Sequence, residues 1–158
     1  MAVGNYGYKS MMKHQDVDQH NKAELFYHST ESWQTKASYP YWESVSAFQI
    51  IFHRSDFILF GGLVSKNGQS FVIDIVAKFN PDLNKWTKLG KLGPGKVAIN
   101  VIEIDNKFLL MGGQAYKSTE TCELKNEKMI CSAREPFTSI ILHYPAMMIV
   151  ASDYANNC

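Results

Sequence analysis

The chain of 158 residues is 46% hydrophobic and 13% aromatic, which is enough to bury a core and excludes disorder as an overall description. Its formal net charge of +1 implies no broad basic face, so we expect neither nucleic acid nor an anionic membrane as a partner. The N-terminus has no signal-peptide pattern, and the longest apolar stretch, Ile140–Ala151, is too short to span a bilayer, so a soluble protein is expected.

The first elements of the chain are interpreted as an incomplete four-stranded unit. Val3-Gly4 is read as the remnant of a strand that ends at glycine, and Lys9–Asn21 as an inserted polar loop. The strands Ala23–Tyr27 and Ser32–Thr35 follow. Residues 14–20 of the loop hold two histidines and two aspartates, but their spacing matches no known metal site, so we expect solvated side chains there and no bound metal.

Two further sets of four strands are predicted from apolar runs separated by turns. They are Ala47–Phe52, Phe57–Gly61, Phe71–Phe79 and Trp86–Lys88, then Ala98–Ile104, Phe108–Gly112, Thr119–Leu124 and Lys128–Cys131. The second set repeats the first, because Phe57–Gly62 recurs as Phe108–Gly113, 51 residues later. Trp33 recurs as Trp86, 53 residues later. Both offsets are close to the period of about 50 residues of a kelch blade and exceed that of a WD40 blade.

These features resemble the C-terminal part of kelch-repeat β-propellers that are related in fold to galactose oxidase. The repeat is carried by paired glycines and by tryptophans, namely Gly61, Gly62, Gly112, Gly113, Trp33 and Trp86. Glycine is needed where a strand end adopts a positive φ beside another backbone, and a tryptophan fills the space between neighbouring blades. Ile130 stands where the third blade should carry its tryptophan.

The resemblance implies an all-β fold, a partial kelch-type β-propeller of about two to three four-stranded antiparallel blades in one domain. We expect a partial blade at residues 1–36, blades at 45–90 and 97–132, and a C-terminal segment at 137–158. A propeller needs four to eight blades to close, so open blade edges are expected to favour self-association. The apolar part of the C-terminal segment, Ile140–Val150, is a candidate for adding strands to the incomplete first blade.

The resemblance also implies a disulfide between Cys122 and Cys131, which flank the polar turn 125–128. The alternative is a pair of small buried residues in a reduced protein. A disulfide predicts an extracellular protein and free thiols a cytoplasmic one, so the sequence leaves the compartment open.

The segment Gly90–Lys96 has the spacing of a phosphate-binding loop. However, Val97 stands where Ser or Thr would bind Mg²⁺, and the next segment alternates like a strand where a helix is required. We interpret the segment as a loop between blades. The sequence contains no recognisable triad, paired-carboxylate or Cys/His arrangement, so no enzyme activity, no cofactor and no catalytic residue is predicted.

Aromatic residues in the predicted loops suit a partner-binding surface. The candidates are Tyr39, Tyr41, Trp42, Tyr116 and Lys117. Packing against a neighbouring blade is the alternative for these residues. In propellers the loops that join strands two to three and four to one emerge on one face, so the resemblance implies a non-enzymatic protein–protein interaction module with a protein partner. The alternatives are a galactose-oxidase-like or carbohydrate-active enzyme fragment, and a truncated product without independent function.

Overall fold

The computed structural model describes residues 2–3, 23–41, 45–66, 69–113 and 119–134, and these ranges contain strands and turns but no helix. The expected all-β fold is therefore confirmed. In chain order the strands are β1 (Ala2–Val3), β2 (Ala23–Tyr27), β3 (Ser32–Lys36), β4 (Val45–Ser46), β5 (Gln49–His53), β6 (Asp56–Phe60), β7 (Leu63–Lys66), β8 (Gln69–Val72), β9 (Ile75–Asn80), β10 (Lys85–Lys91), β11 (Ile99–Ile104), β12 (Lys107–Gly112), β13 (Thr119–Lys125) and β14 (Lys128–Arg134).

The strands form three successive blades. The first blade contains β1, β2 and β3, the second β5, β6, β9 and β10, and the third β11 to β14, with antiparallel neighbours inside each blade. Within the described strands, a parallel pairing of Gly90 with Met129 joins the outer strands of the second and third blades. The chain is thus a partial β-propeller, as predicted. The C-terminal segment 137–158 lies outside the described residues.

The first blade shares the register of the second. Val3 lies opposite Ala23 in the first blade, and Phe60 lies opposite Val76 in the second. Ala23 and Val76 are 53 residues apart in the sequence, as the two tryptophans of the repeat are. Val3 and Phe60 are each followed in the sequence by a glycine. This register agrees with the interpretation of Val3-Gly4 as the end of a glycine strand.

Tight turns close the hairpins of the third blade. Asp105 and Asn106 both have positive φ, 51° and 60°, and connect β11 to β12 with Ile104 opposite Lys107. Such a two-residue turn matches the right-handed twist of the flanking strands, and Asn and Asp tolerate its conformation better than most residues. The polar residues between the apolar runs therefore set the hairpin register.

The paired glycines allow the connector between blades to pass close to the second strand. Gly61 and Gly62 have φ of 59° and 123°, and the Gly62 amide donates a hydrogen bond to the carbonyl oxygen of Lys96 at 2.8 Å. A Cβ atom on Gly61 would clash with that same carbonyl. A side chain is therefore excluded here both by backbone conformation and by space.

Two apolar clusters form the core, and each fills an interface between blades. The first joins the first and second blades and contains Ala23, Tyr39, Val45, Leu59, Val64, Ile73, Ala77, Phe79 and Trp86. The second joins the second and third blades and contains Ile58, Phe60, Val76, Leu89, Leu92, Ile99, Val101, Phe108, Leu110, Cys122 and Met129. The stability of each blade therefore depends on its neighbour.

The second blade carries an additional sheet that was not predicted. The segment between the predicted strands Phe57–Gly61 and Phe71–Phe79 contributes to the hairpin β7–β8, which pairs through β7 with β4. The strand expected at Phe71–Phe79 is divided into β8 and β9. The division occurs because the Ile73 amide donates to the carbonyl of Gly62 at 2.9 Å, which draws the chain back to the glycine pair.

Candidate functional site

The outer hairpin of the second blade binds the connector that leaves the first blade. Phe79 and Trp86 lie opposite each other with ring centroids 5.0 Å apart. The Trp86 indole N–H donates to the carbonyl of Ala37 at 2.7 Å, and the Ala37 amide donates to Oδ1 of Asn84 at 2.8 Å. The ring of Tyr39 packs edge-on against Trp86 at 5.2 Å. The backbone N–H and the backbone carbonyl of Ala37 are thus both bound by side chains of the second blade.

The corresponding pair in the third blade is formed by cysteines. Phe57 lies opposite Phe79 in the second blade, and its repeat partner Phe108 lies opposite Cys122 in the third. Cys122 in turn lies opposite Cys131, so Cys131 holds the position of the tryptophan. The prediction that Ile130 holds it was wrong by one residue. Ile130 points to the other face of β14 and its side chain is 54% exposed.

The predicted disulfide between Cys122 and Cys131 is present, with Cα atoms 4.0 Å apart. Cys122 is fully buried, in the cluster that also contains Leu92. Leu92 lies six residues after Trp86, as Tyr39 lies six residues after Trp33. In both interfaces, therefore, an apolar connector residue covers the pair on the following blade.

The first blade has the same pair at its open side. Phe26 lies opposite Trp33 with ring centroids 5.3 Å apart. Within the described ranges no connector covers this pair, and the side chain of Trp33 is 57% exposed. Trp33 therefore does not fill an interface between blades in the described part of the chain, unlike Trp86.

The aromatic residues predicted to bind a partner do not form one exposed set. Tyr39 is fully buried between Tyr41 and Trp86, so the packing alternative applies and Tyr39 is not available to a partner. Burial raises the pKa of the Tyr39 hydroxyl far above its usual value. Tyr41 is partly buried, and burial raises its pKa against the opposing effect of a hydrogen bond with the Lys88 backbone. The other three candidates, Trp42, Tyr116 and Lys117, lie outside the described residues.

An exposed edge strand lies on the additional sheet of the second blade. The order of that sheet is β4-β7-β8, so the far side of β8 has no strand neighbour among the described residues. All four residues of β8 are exposed, including Phe71, of which 45% is accessible, and Val72. The hairpin follows the glycine pair and so lies, in chain order, between the second and third strands of its blade. Asn67-Gly68, between the two strands, is a sequence signal that predicts such a hairpin.

The lysine of the phosphate-loop-like segment is part of the core. Lys96 and Glu120 are both almost fully buried, with Lys96 Nζ 3.4 Å from Glu120 Oε1. The Gly93 amide donates to the other oxygen of Glu120 at 3.1 Å. Burial lowers the pKa of Lys96, although the charge of Glu120 opposes this. Since the strand β11 follows the segment, a loop between blades is observed, as interpreted from the sequence.

The remaining groups with metal-binding chemistry are used in packing. Glu120, Cys122 and Cys131 have potential ligand atoms within 4.8 Å of one another, but the two sulfurs are joined in the disulfide and are not thiolates. His53 is buried, and its Nδ1 lies 2.8 Å from Oε1 of Glu103, which links the inner strands of the second and third blades. The histidine-containing loop at residues 14–20 lies outside the described residues.

The described part of the chain includes no helix with the length and apolar character needed to cross a membrane. No protein-family model matches the sequence, and no curated protein matches it. Among solved structures, one described as "Structure of YjhT" superposes with a TM-score of 0.57 at 16% sequence identity, over 67% of this chain and 42% of that chain. This chain therefore spans less than half of that structure, and the likeness concerns the fold alone.

Proposed function

We propose that the chain is a non-enzymatic protein-interaction module of the kelch-repeat kind, and that its partner binds the edge of the β4–β7–β8 sheet. The observation that carries the proposal is the exposed strand β8, which combines an accessible Phe71 with a sheet edge that has no strand neighbour in the described part of the chain. An extended peptide can add to such an edge through main-chain hydrogen bonds, while pockets for alternate side chains provide specificity.

The side chains of β8 suit this mode of binding. Successive residues of a strand point to opposite faces, so Phe71 and Val72 present apolar contacts on both faces of the sheet edge. An aromatic side chain supplies a large contact area at a low cost in conformational entropy. An edge strand presents a row of backbone N–H and C=O groups that can pair with another chain, which makes β8 a candidate for binding an extended peptide.

The chemistry of the buried polar groups supports a binding role over an enzymatic one. Glu120 is held by Lys96 and Gly93, and His53 by Glu103. The disulfide occupies both sulfurs near Glu120. These groups are engaged with one another at the interface between the second and third blades.

Selection of displayed random peptides on the immobilised chain tests the proposal. Selected peptides should be measured by fluorescence anisotropy against the wild type, against the double variant Phe71→Lys/Val72→Lys, and against the control Leu83→Lys. Leu83 is 74% exposed on a different hairpin, so its substitution is chemically matched. We expect the double variant to weaken binding by about tenfold or more, since hot-spot side chains contribute at least this much.

Thermal melting of all three proteins should give similar midpoints, because the substituted side chains are exposed in each case. The proposal is wrong if selection yields no specific binder, or if the double variant and the control bind the selected peptides as tightly as the wild type does.

A further inference from the structure

The third blade differs from the other two in the chemistry of its opposed pair. The first and second blades carry aromatic rings there, whereas the third carries Cys122 and Cys131, joined in the disulfide. Cys122 is fully buried, and Cys131 is partly accessible. A disulfide is one of two states of a cysteine pair, because a dithiol can reduce it to two thiols. The groups around the pair therefore decide what the reduced state can bind.

Glu120 brings a third metal-binding atom to this pair. It lies two residues before Cys122 on β13, so both side chains are on the same face of the strand. A carboxylate oxygen of Glu120 and the two sulfurs lie within 4.8 Å of one another. Two atoms bound to one zinc ion are about 3.5–4 Å apart, given Zn–S bonds of about 2.3 Å and Zn–O bonds of about 2.0–2.2 Å. Once the S–S bond is cut, a small separation of the sulfurs brings all three atoms within reach of one ion.

The carboxylate of Glu120 is held in place before any ion binds. Its Oε2 accepts the Gly93 amide at 3.1 Å, and its Oε1 lies 3.4 Å from Lys96 Nζ. Oε1 is buried, and apart from this ion pair it has no hydrogen-bond partner among the described residues. An ionised carboxylate has about four acceptor sites, so Oε1 can bind an ion while Oε2 stays on Gly93. The third donor is therefore already positioned beside the sulfurs.

The charges around the pair balance for a divalent ion. Two thiolates and the Glu120 carboxylate carry three negative charges, which a divalent ion and the ammonium of Lys96 together neutralise. Glu120 and Lys96 are both almost fully buried, where an uncompensated charge is costly. Thiolate ligands favour zinc and other thiophilic ions over magnesium and calcium. The ligand set and its buried counter-ion thus match an ion of the zinc class.

We propose that the reduced third blade binds Zn²⁺ through Cys122, Cys131 and Glu120, so that its opposed pair is joined by a disulfide in one redox state and by a metal ion in the other. A thiolate of a dithiol reductant attacks the accessible sulfur of Cys131, forms a mixed disulfide and releases Cys122; its second thiol then releases Cys131. The protein gains two electrons and two protons, and the reductant becomes a disulfide. Zinc binds as the two thiols give up their protons to solvent.

Zinc binding by the full chain in its two redox states tests the proposal. Cys158→Ser in every protein leaves Cys122 and Cys131 as the only cysteines. A water-soluble phosphine reduces the disulfide and leaves as its oxide, and it competes only weakly for zinc. In anaerobic titrations against a chromophoric zinc indicator, the reduced chain should bind one more zinc ion than the oxidised chain. The oxidised chain is the matched control, because zinc on the histidines of residues 14–20 would be bound in both states. Equal uptake in the two states would overturn the proposal.

Two variants and a spectroscopic probe identify the ligands. Cys122→Ser/Cys131→Ser should weaken the redox-dependent zinc binding by about 100-fold or more, since losing even an outer-shell partner of a metal site costs about 10- to 100-fold. Glu120→Gln/Lys96→Met removes both charges of the ion pair together, so no buried charge is left unpaired. It should still form the disulfide, and its reduced form should bind zinc about tenfold or more weakly. Cd²⁺ should produce thiolate-to-metal charge-transfer absorption in the reduced chain alone. Redox-dependent zinc that persists in the serine variant would contradict the assigned ligands.

Circular dichroism and thermal melting distinguish a site in the folded blade from binding to an unfolded chain. An ion that binds the native state raises Tm, by several degrees at a concentration about 100-fold above Kd, so zinc should raise Tm more in the reduced chain than in the oxidised one. Zinc bound by a reduced chain that lacks the β-sheet signal would overturn the proposal, because the ligands come together only when β13 and β14 are paired. Since β8 belongs to a different sheet, failure here leaves the peptide-binding proposal unaffected, and the reverse also holds.

Discussion

Replacing Trp86 with phenylalanine measures how strongly a blade holds the connector of its neighbour. The substitution removes the indole N–H that donates to the carbonyl of Ala37 at 2.7 Å, while it keeps an aromatic ring against Phe79 and Tyr39. Losing the hydrogen bond costs about 1 kcal/mol. The smaller ring leaves roughly 40 Å² of apolar contact unfilled, which costs about 1 kcal/mol more.

The expected loss is therefore about 2 kcal/mol in the free energy of unfolding, or a decrease of about 4–8 °C in Tm for a chain of this size. Urea and thermal unfolding followed by circular dichroism would measure it. Leu83→Ala is the control, because Leu83 is exposed and its loss should cost less than about 0.5 kcal/mol. If Trp86→Phe were as harmless as the control, the connector would not be held by the hydrogen bond and packing described above.

Two further predictions concern buried and partly buried charges. Glu120→Gln should destabilise the chain by about 3–5 kcal/mol, because it leaves the ammonium of Lys96 buried beside a neutral amide. Urea unfolding would measure this loss. Adding Lys96→Met to the Glu120→Gln variant should restore much of the lost stability. A cost below about 1 kcal/mol would contradict the buried ion pair. The pKa of Lys78 is raised, mainly by its hydrogen bond with Glu127. A raised pKa in the folded state means that the stabilisation is present below the unfolded value of 10.5 and is lost as pH rises through the folded value. The free energy of unfolding should fall with rising pH across that alkaline range in the wild type, and it should fall less in Glu127→Gln. Equal pH dependence in the two proteins would disprove the contribution of the Lys78–Glu127 hydrogen bond.

Local sequence signals were sufficient to predict most of the blades. The repeated segments Phe57–Gly62 and Phe108–Gly113 combine apolar runs, polar turns and glycine pairs, each of which acts over a few residues. The strands β5, β6, β11 and β12 therefore lie within two residues of their predicted bounds. The disulfide followed from the family resemblance, and the structure confirms it.

The errors arose where distant contacts decide the outcome. The choice between Ile130 and Cys131 depends on a register that is fixed by β12, and a slip of one residue reverses every side chain of a strand. The break at Ile73 interrupts an apolar run because the Ile73 amide donates a hydrogen bond to the carbonyl of Gly62, 11 residues earlier. Tyr39 has the composition of a binding loop, and its burial depends on Trp86, which lies 47 residues later.

The candidate surfaces were only partly predictable. The sequence predicts exposed aromatic residues in loops, whereas the exposed Phe71 belongs to an edge strand and the exposed Trp33 to the open side of a blade. Trp33 was identified as a repeat residue, but its exposure follows from the position of its blade in the described structure. Sequence repetition alone gives the same prediction for Trp33 and Trp86, and only the arrangement of blades distinguishes them.

The cysteine pair of the third blade has a consequence for how the chain opens. In the other two blades the side chains at these two positions make ring contacts, which are lost when the paired strands separate. In the third blade a covalent bond joins the same two positions, so that hairpin cannot unzip. Fluctuations of a single chain should therefore be graded along its length, with backbone amides of β2 and β3 exchanging with solvent soonest and those of β13 and β14 last.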